Sequence, residues 1–347
     1  MPLKQRIIPF FLPNLGCGEQ CCFCRQDAIS GQESPPTPEQ VTHWLSEHIN
    51  ASVDFEIAFY GGSFTSLPVA LQDRYLGAAG DFIKRVGGQG GIRVSARPDR
   101  LDGETIERIK QLGVDCVEVG CQSFSDQVLL CSGRGHSASV AEEAIQRLHR
   151  AGLRVGIQLM PGLPGADRAE AHSTLDTALN LQPEFIRLYP TVVLRQTELA
   201  SRFVAGEFTP LGLPEAVNLC AELCLRCEAA AVVVARVGIP LEGSLQEADA
   251  VLAGPVHSAF GQLVKSEAWY EILCPHLLER RVVCISASPE DYSDLVGHKR
   301  QMLQKIRTQV PGLDLRIDTR LAKGELLLDR KLLNRRTEVK RRFSNYD

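Results

Sequence analysis

The sequence predicts an α/β fold, a partial or full (β/α) barrel followed by a small α+β segment at the carboxy terminus. Two observations carry this. Candidate strands and helices alternate strictly from Ile7 to about residue 238, in lengths that suit right-handed βαβ units around a parallel sheet. Polar or glycine residues recur where those strands end: Gly61, Gly62, Ser95, Arg97, Glu118, Gln122, Gln158 and Tyr189. The carboxyl ends of strands build the active site in a parallel barrel. The predicted domains are residues 1–270, the barrel, and 280–347, the small α+β piece.

Ile7 to Leu12 reads as a buried first strand. Thr37, Pro38 and Gln40 carry the capping-box signature of a helix that runs to about Ile49. DFEIAFYGG is a strand ending in a tight glycine turn, residues 71–86 are an amphipathic helix, and GIRVSARP is the next strand. LDGETIERIKQLG is a helix with a glycine stop, and CVEVGCQS is a strand. Helices over 138–151, 167–180 and 214–231 then precede the strands LRVGIQLM, FIRLYPTVVL and VVVARVGI. Seven strands exceed a minimal mononucleotide fold and point to a barrel.

Bulk composition narrows the class. The chain has 347 residues, 44% hydrophobic and 23% charged, as an ordinary globule does. A formal net charge of −4 excludes a wholly basic surface but leaves room for local patches, such as RRTEVKRR from Arg335 to Arg342. No stretch is long and apolar enough to span a bilayer. The amino-terminal apolar run is broken by Pro9 and Pro13 and followed by no clean cleavage site, so it is not read as an export signal. There are twelve cysteines, and four crowd between Cys17 and Cys24, where pairwise bridging is awkward. A reducing, cytoplasmic compartment and a metal site explain them better than disulfides.

Cys17, Cys21 and Cys24 are spaced by three residues and then two. Three thiolates from one loop can hold three irons of a cubane and leave the fourth iron open to a ligand. This spacing, with Phe23 in the aromatic position, resembles the CxxxCxφC hallmark of the radical S-adenosylmethionine (SAM) superfamily. The resemblance implies a [4Fe–4S] cluster on Cys17, Cys21 and Cys24, and SAM chelated to the open iron. Reductive cleavage of SAM would give a 5′-deoxyadenosyl radical, and Phe23 would lie by the adenine. Cys22 is not expected to be a ligand, because Cys21 beside it already is.

The match extends through FYGGSF at Phe59–Phe64, SARPD at Ser95–Asp99, VEVGCQSF at Val117–Phe124, GIQLMPGLPG at Gly156–Gly165 and IRLYPTVVLRQTEL at Ile186–Leu199. That ordered set is similar to the radical domain of the Elongator catalytic subunit and its bacterial relatives. It looks more distantly like anaerobic coproporphyrinogen oxidase. The resemblance covers about residues 7–265. It implies that backbone groups at Gly61, Gly62 and Ser63 bind the cofactor's amino group, although many members carry Glu where Ser63 stands. Arg97, with Ser95, can pair with a carboxylate such as that of methionine. Glu118 or Gln122 can accept from ribose hydroxyls, and Gln158 points to the same chamber. Tyr189 and Arg195 are expected to face the substrate as catalytic residues. Elongator relatives carry an acetyltransferase domain, and this chain is expected to hold none, which separates it from the same complete reaction.

Cys220, Cys224 and Cys227 repeat the hallmark spacing. Their Ala-, Leu- and Glu-rich surroundings mark a helix interior, where the three line one stripe and act as small core hydrophobes; the alternative is a second cluster. From Arg280 a strand, two short helices around Gly297, two strands and a last helix resemble a KH RNA-binding domain. Arg300 stands where the family's second loop glycine would be. His298, Lys299, Arg300 and Lys305 are basic and can meet phosphate.

The expected function is an enzyme that starts radical chemistry on a tRNA nucleoside, reduced by a protein such as ferredoxin or flavodoxin and without membrane attachment. The alternatives are radical SAM chemistry on a small molecule, tetrapyrrole or peptide, and a non-catalytic RNA-binding iron–sulfur protein.

Overall fold

The computed structural model describes residues 6–13, 17, 21–25, 34–49, 54–87, 90–239, 250–278 and 280–343. It divides into two compact units. One is Met1–Pro210 with Ile239–Gly254, and the other is Leu211–Gly238 with Pro255–Asp347.

The first unit opens with β1 (Arg6–Leu12), helix α1 (Pro38–His48) and β2 (Phe55–Gly61). It continues through α2 (Val69–Arg85), β3 (Gly90–Ala96), α3 (Gly103–Gln111) and β4 (Val114–Gln122). Next come α4 (Asp126–Cys131), α5 (Ala138–Arg150), β5 (Arg154–Leu159), α6 (Arg168–Asn180) and β6 (Phe185–Leu188). Strands β1 to β6 lie side by side in chain order, every pair parallel, as an open half-barrel rather than a closed one. The helices foreseen from the sequence start within about two residues of their expected positions, while α4 was not foreseen. Thr37 and Gln40 exchange both capping-box bonds (2.7 and 3.3 Å), while Asp102 and Asp167 each accept an amide at 2.8 Å from three residues on.

Two expectations for this unit need correction. β1 is only half-buried: it is the edge strand, and Ile7 is 38% exposed. Pro9 is tolerated there because an edge leaves one side of the strand unpaired. FIRLYPTVVL is not one strand. β6 stops at Leu188, and a short strand β7 (Val193–Leu194) follows beyond Pro190, which has no amide hydrogen to continue a ladder. Helix α7 (Glu198–Val204) then completes this stretch.

The chain next forms α8 (Leu213–Ala229) and β8 (Val233–Val237) in the second unit, and returns to the first with β9 (Val251–Ala253), antiparallel to β7. The seventh strand foreseen from VVVARVGI is β8. The second unit resumes with α9 (Phe260–Leu277), β10 (Val282–Ala287), α10 (Pro289–Val296) and α11 (Gln301–Gln309). It ends with β11 (Gly312–Ile317), β12 (Glu325–Leu328), β13 (Lys331–Asn334) and α12 (Arg335–Phe343). Its four-stranded sheet runs β11-β10-β12-β13, with β10 and β11 parallel and the other pairs antiparallel. KLLN is thus a hairpin strand, not the start of the last helix. Asp329 turns the hairpin with a φ of 56°, a conformation Asp tolerates better than most side chains. α8 and α9 bury Cys220, Leu225, Trp269 and Leu273 in one core with Ile285 and Leu326 of that sheet. Among the described residues no helix is long and apolar enough to cross a membrane.

Candidate functional site

The cysteine loop follows β1. Its residues 14–16 and 18–20 lie outside the described set, while Cys17 and Cys21–Arg25 lie within it. Cys22 is held on both sides by backbone bonds: its amide donates to Ser132 O (3.1 Å), and its carbonyl accepts from the Leu199 amide (2.8 Å). Cys22 and Phe23 join Val128, Met160, Leu163, Val193 and Leu199 in an apolar cluster, with Tyr189 packed at its margin. Burial pushes the Cys22 thiol up to about 11, which suits an inert core cysteine.

Cys21 is surrounded differently. Arg134 Nη1 donates to its sulfur at 3.2 Å, and Arg97 Nη1 approaches it at 3.9 Å. Both guanidinium groups are buried. Arg97 also forks onto Asp99 (2.9 and 3.1 Å) and donates to the Arg134 carbonyl (2.6 Å). Burial alone would raise the Asp99 carboxyl, but the Arg97 bonds outweigh it and hold the group below its ordinary value. The arginine expected to await a cofactor carboxylate thus already has an internal partner. Arg134, in the SGRGH turn after α4, was not singled out from the sequence. The signal was there in a lone cation between Gly133 and Gly135, in a stretch with no helical period.

Gly61, Gly62, Ser63, Ser95 and Arg97 meet at the ends of β2 and β3. A Cβ on Gly61 would sit 2.9 Å from the Leu12 backbone, and its φ of 113° also demands glycine. The Ser95 hydroxyl lies within donor reach of Gly62 O (3.2 Å) and Phe59 O (3.4 Å), and Ser63 Oγ accepts from the Arg97 amide (3.1 Å). A small pocket opens here between Leu12, Tyr60, Gly62, Phe64 and Ser95. At the end of β4 the register shifts, and Gln122 takes a φ of 71°. Its side-chain oxygen accepts from Gln158 Nε2 at 3.1 Å, so these two residues are brought together.

Glu118 lies in mid-strand, paired in register with Ser95 and Gly156. Its Oε1 accepts from Tyr60 Oη (2.7 Å), Arg93 (2.9 Å) and Arg187 (2.9 Å). Arg93 also pairs with buried Glu56, and Arg187 donates to Tyr189 Oη at 3.0 Å. Burial first, then the Glu118 charge, drive the Tyr60 phenol far above its ordinary value, so it stays protonated and donates. Tyr189 is thereby tied to this charged interior. Arg195 stands apart on the exposed turn after β7, its amide bonded to Ala250 O (3.0 Å).

Among the described residues no three His, Cys, Asp or Glu side chains converge as a metal site. The donor chemistry of the loop nevertheless fits an iron–sulfur cluster: Cys17, Cys21 and Cys24 supply three soft sulfurs, none in a disulfide, and a buried cation faces Cys21. Cys220, Cys224 and Cys227 lie along α8, the first and last fully buried. Burial raises all three thiols, Cys224 to about 12.

An open parallel half-barrel with a three-cysteine loop at its first strand end, and small polar residues at the ends of the next strands, defines a class of cofactor-binding barrel. The chain belongs to the radical SAM superfamily. The superfamily model matches residues 12–178, and a radical SAM C-terminal domain model matches residues 183–270. The chain is 33% identical over 129 residues to a tRNA uridine(34) acetyltransferase of Methanocaldococcus infernus, which covers 36% of this chain and 24% of that protein. It is 28% identical over 191 residues to the heme chaperone HemW of Bacillus subtilis, covering 52% and 49%. In both cases the chain spans less than half of the relative's length. The solved structure of the archaeal Methanocaldococcus infernus Elp3 with an N-terminal deletion shares the fold, with a TM-score of 0.61 and 21% identity over 80% of this chain and 65% of that one.

Proposed function

We propose that this chain holds one [4Fe–4S] cluster on Cys17, Cys21 and Cys24, binds SAM at the ends of β2 to β5, and starts radical chemistry on a tRNA nucleoside. The observation that carries the reading is the buried Arg134 guanidinium set against the Cys21 sulfur at the open end of the half-barrel. A cluster held by Cys17, Cys21 and Cys24 would supply the electron for reductive cleavage of SAM. Gly61, Gly62 and Ser63 offer backbone groups to the cofactor, and Ser95 and Arg97 brace that turn. Gln122 and Gln158 present a joined pair of amides to ribose hydroxyls. Phe23 adds an apolar wall for the adenine. Glu118 acts through Arg187 to orient Tyr189, which with Arg195 faces the substrate.

The cofactor-binding residues all lie within residues 1–270, and 280–347 form a KH-like piece that contacts RNA and shares the core of its unit with α8 and α9. Its Gly297–Arg300 turn supports that role, because Lys299 and Arg300 are exposed and both left-handed, with φ of 50° and 64°. Lys305 takes no part, since it is engaged with Glu267 at 2.7 Å. Relatives named tRNA uridine(34) acetyltransferase support the tRNA substrate. Relatives named heme chaperone HemW favour a second reading, a tetrapyrrole ligand. The protein works in the reducing cytoplasm with a ferredoxin- or flavodoxin-type donor.

Anaerobic reconstitution tests the reading. Wild type and C22A should take up a full cluster, and C21A should not. 5′-Deoxyadenosine should form faster with bulk tRNA than with hemin or without addition. A C21A protein with full iron and sulfide would sink the ligand assignment. Stimulation by hemin but not tRNA would sink the RNA substrate.

A further inference from the structure

Arg134 is a buried cation in search of an anion. It is 5% exposed. Among the described residues no carboxylate pairs with it, and its Nε has no hydrogen-bond partner. Among the described residues its other nitrogens reach only the Gly120 carbonyl and the Cys21 sulfur. A buried, uncompensated guanidinium is costly, and it persists where something negative offsets it. Arg97 stands behind it but is neutralised by Asp99 (2.9 Å). The arrangement is also braced. Arg97 Nη2 holds the Arg134 carbonyl, Ser63 holds the Arg97 amide, and Ser132, two residues before Arg134, holds the Cys22 amide. The cation and the cysteine are therefore fixed to each other through backbone as well as side chain.

We propose that Arg134, backed by Arg97, is a positioning residue for the cluster ligand Cys21 and raises the reduction potential of the cluster held there. The inference rests on the cysteine-loop reading above. A [4Fe–4S] cluster on three thiolates is net negative, and taking up one electron from a low-potential donor makes it more so. A fixed cation beside one ligand sulfur stabilises the reduced form more than the oxidised form. A charge-assisted N–H···S bond adds to this by withdrawing electron density from the sulfur. The benefit is an easier one-electron reduction by the donor protein.

The test uses the full chain, reconstituted without air. It compares wild type with Arg134→Gln, Arg134→Lys and Arg97→Gln. Iron and sulfide contents report loading, and an EPR-monitored titration with dithionite reports the midpoint potential. Arg134→Gln should load fully and shift the midpoint to more negative values. Arg134→Lys should recover much of that shift, and Arg97→Gln should give a smaller shift in the same direction. Loaded variants that keep the wild-type midpoint overturn the proposal. If all three variants fail to load while wild type loads, the arginines are a structural tether and the tuning role is wrong. A wild type that takes up no cluster overturns the cysteine-loop reading itself, an outcome distinct from an unchanged midpoint.

Discussion

Glu118→Ala should destabilise the half-barrel more than any surface substitution. The carboxylate is 5% exposed and receives Tyr60, Arg93 and Arg187 on one oxygen. Its removal has unequal effects on those three. Arg93 keeps Glu56 as a counter-ion. Arg187, with a side chain only 13% exposed, pairs with no other carboxylate among the described residues. One buried cation is then stranded, and breaking such a pair costs about 3–5 kcal/mol. For a unit of roughly 200 residues, each kcal/mol moves Tm by about 2–4 °C, so the expected fall is on the order of 6–20 °C. Glu118→Gln keeps an acceptor oxygen and loses only the charge, so it should lose about 1–3 kcal/mol. Thermal and urea unfolding followed by far-ultraviolet circular dichroism read both variants. A loss below about 1 kcal/mol for Glu118→Ala would place the network on a par with exposed ion pairs and refute the reasoning.

Gly156→Ala should cost about 1–3 kcal/mol by overpacking, because a Cβ there would lie 2.2 Å from the Phe185 ring. An unchanged urea midpoint would show that the ring swings away freely. Asp99 has its folded value held below the ordinary 3.8, so its stabilising contribution is complete above about pH 4 and is lost as pH falls through the depressed value. The stability gap between wild type and Asp99→Asn should be constant near neutrality and close in acid; a gap that widens in acid contradicts the sign. Replacing Lys299 and Arg300 together by Gln should weaken tRNA binding across sequences and flatten its salt dependence, as filter binding at several salt concentrations would report. Equal affinity with an equal slope would remove the RNA role of that turn.

Much of the half-barrel was legible because local chemistry agrees with the global fold. The Thr37 and Gln40 capping box and the Asp102 and Asp167 caps mark helix starts to within a residue or two. α9 was missed because it is buried on most sides, from Phe260 and Val264 through Trp269 and Tyr270 to Leu277, so it shows no apolar stripe to count. Pro190 was read through rather than as a stop, which merged β6 and β7. The KLLN strand was hidden by the basic run after it, which reads as helix, whereas its pairing with β12 is set by the Asp329 turn.

At the site, residue type was legible and wiring was not. Three thiols, two glycines and a row of polar strand ends can be named from spacing alone. Which polar groups remain available to a ligand depends on partners far away in sequence. Glu118 and Arg97 looked equally available as single letters. The fold spends Glu118 on Arg93 and Arg187, and it spends Arg97 on Asp99 and the Arg134 carbonyl. Among the described residues Arg134 is a buried cation with no carboxylate partner, in a turn that no period or motif had marked. A buried charge that no described carboxylate offsets calls for a counter-ion from elsewhere. In this half-barrel that residue lies 3.2 Å from a cysteine of the superfamily hallmark.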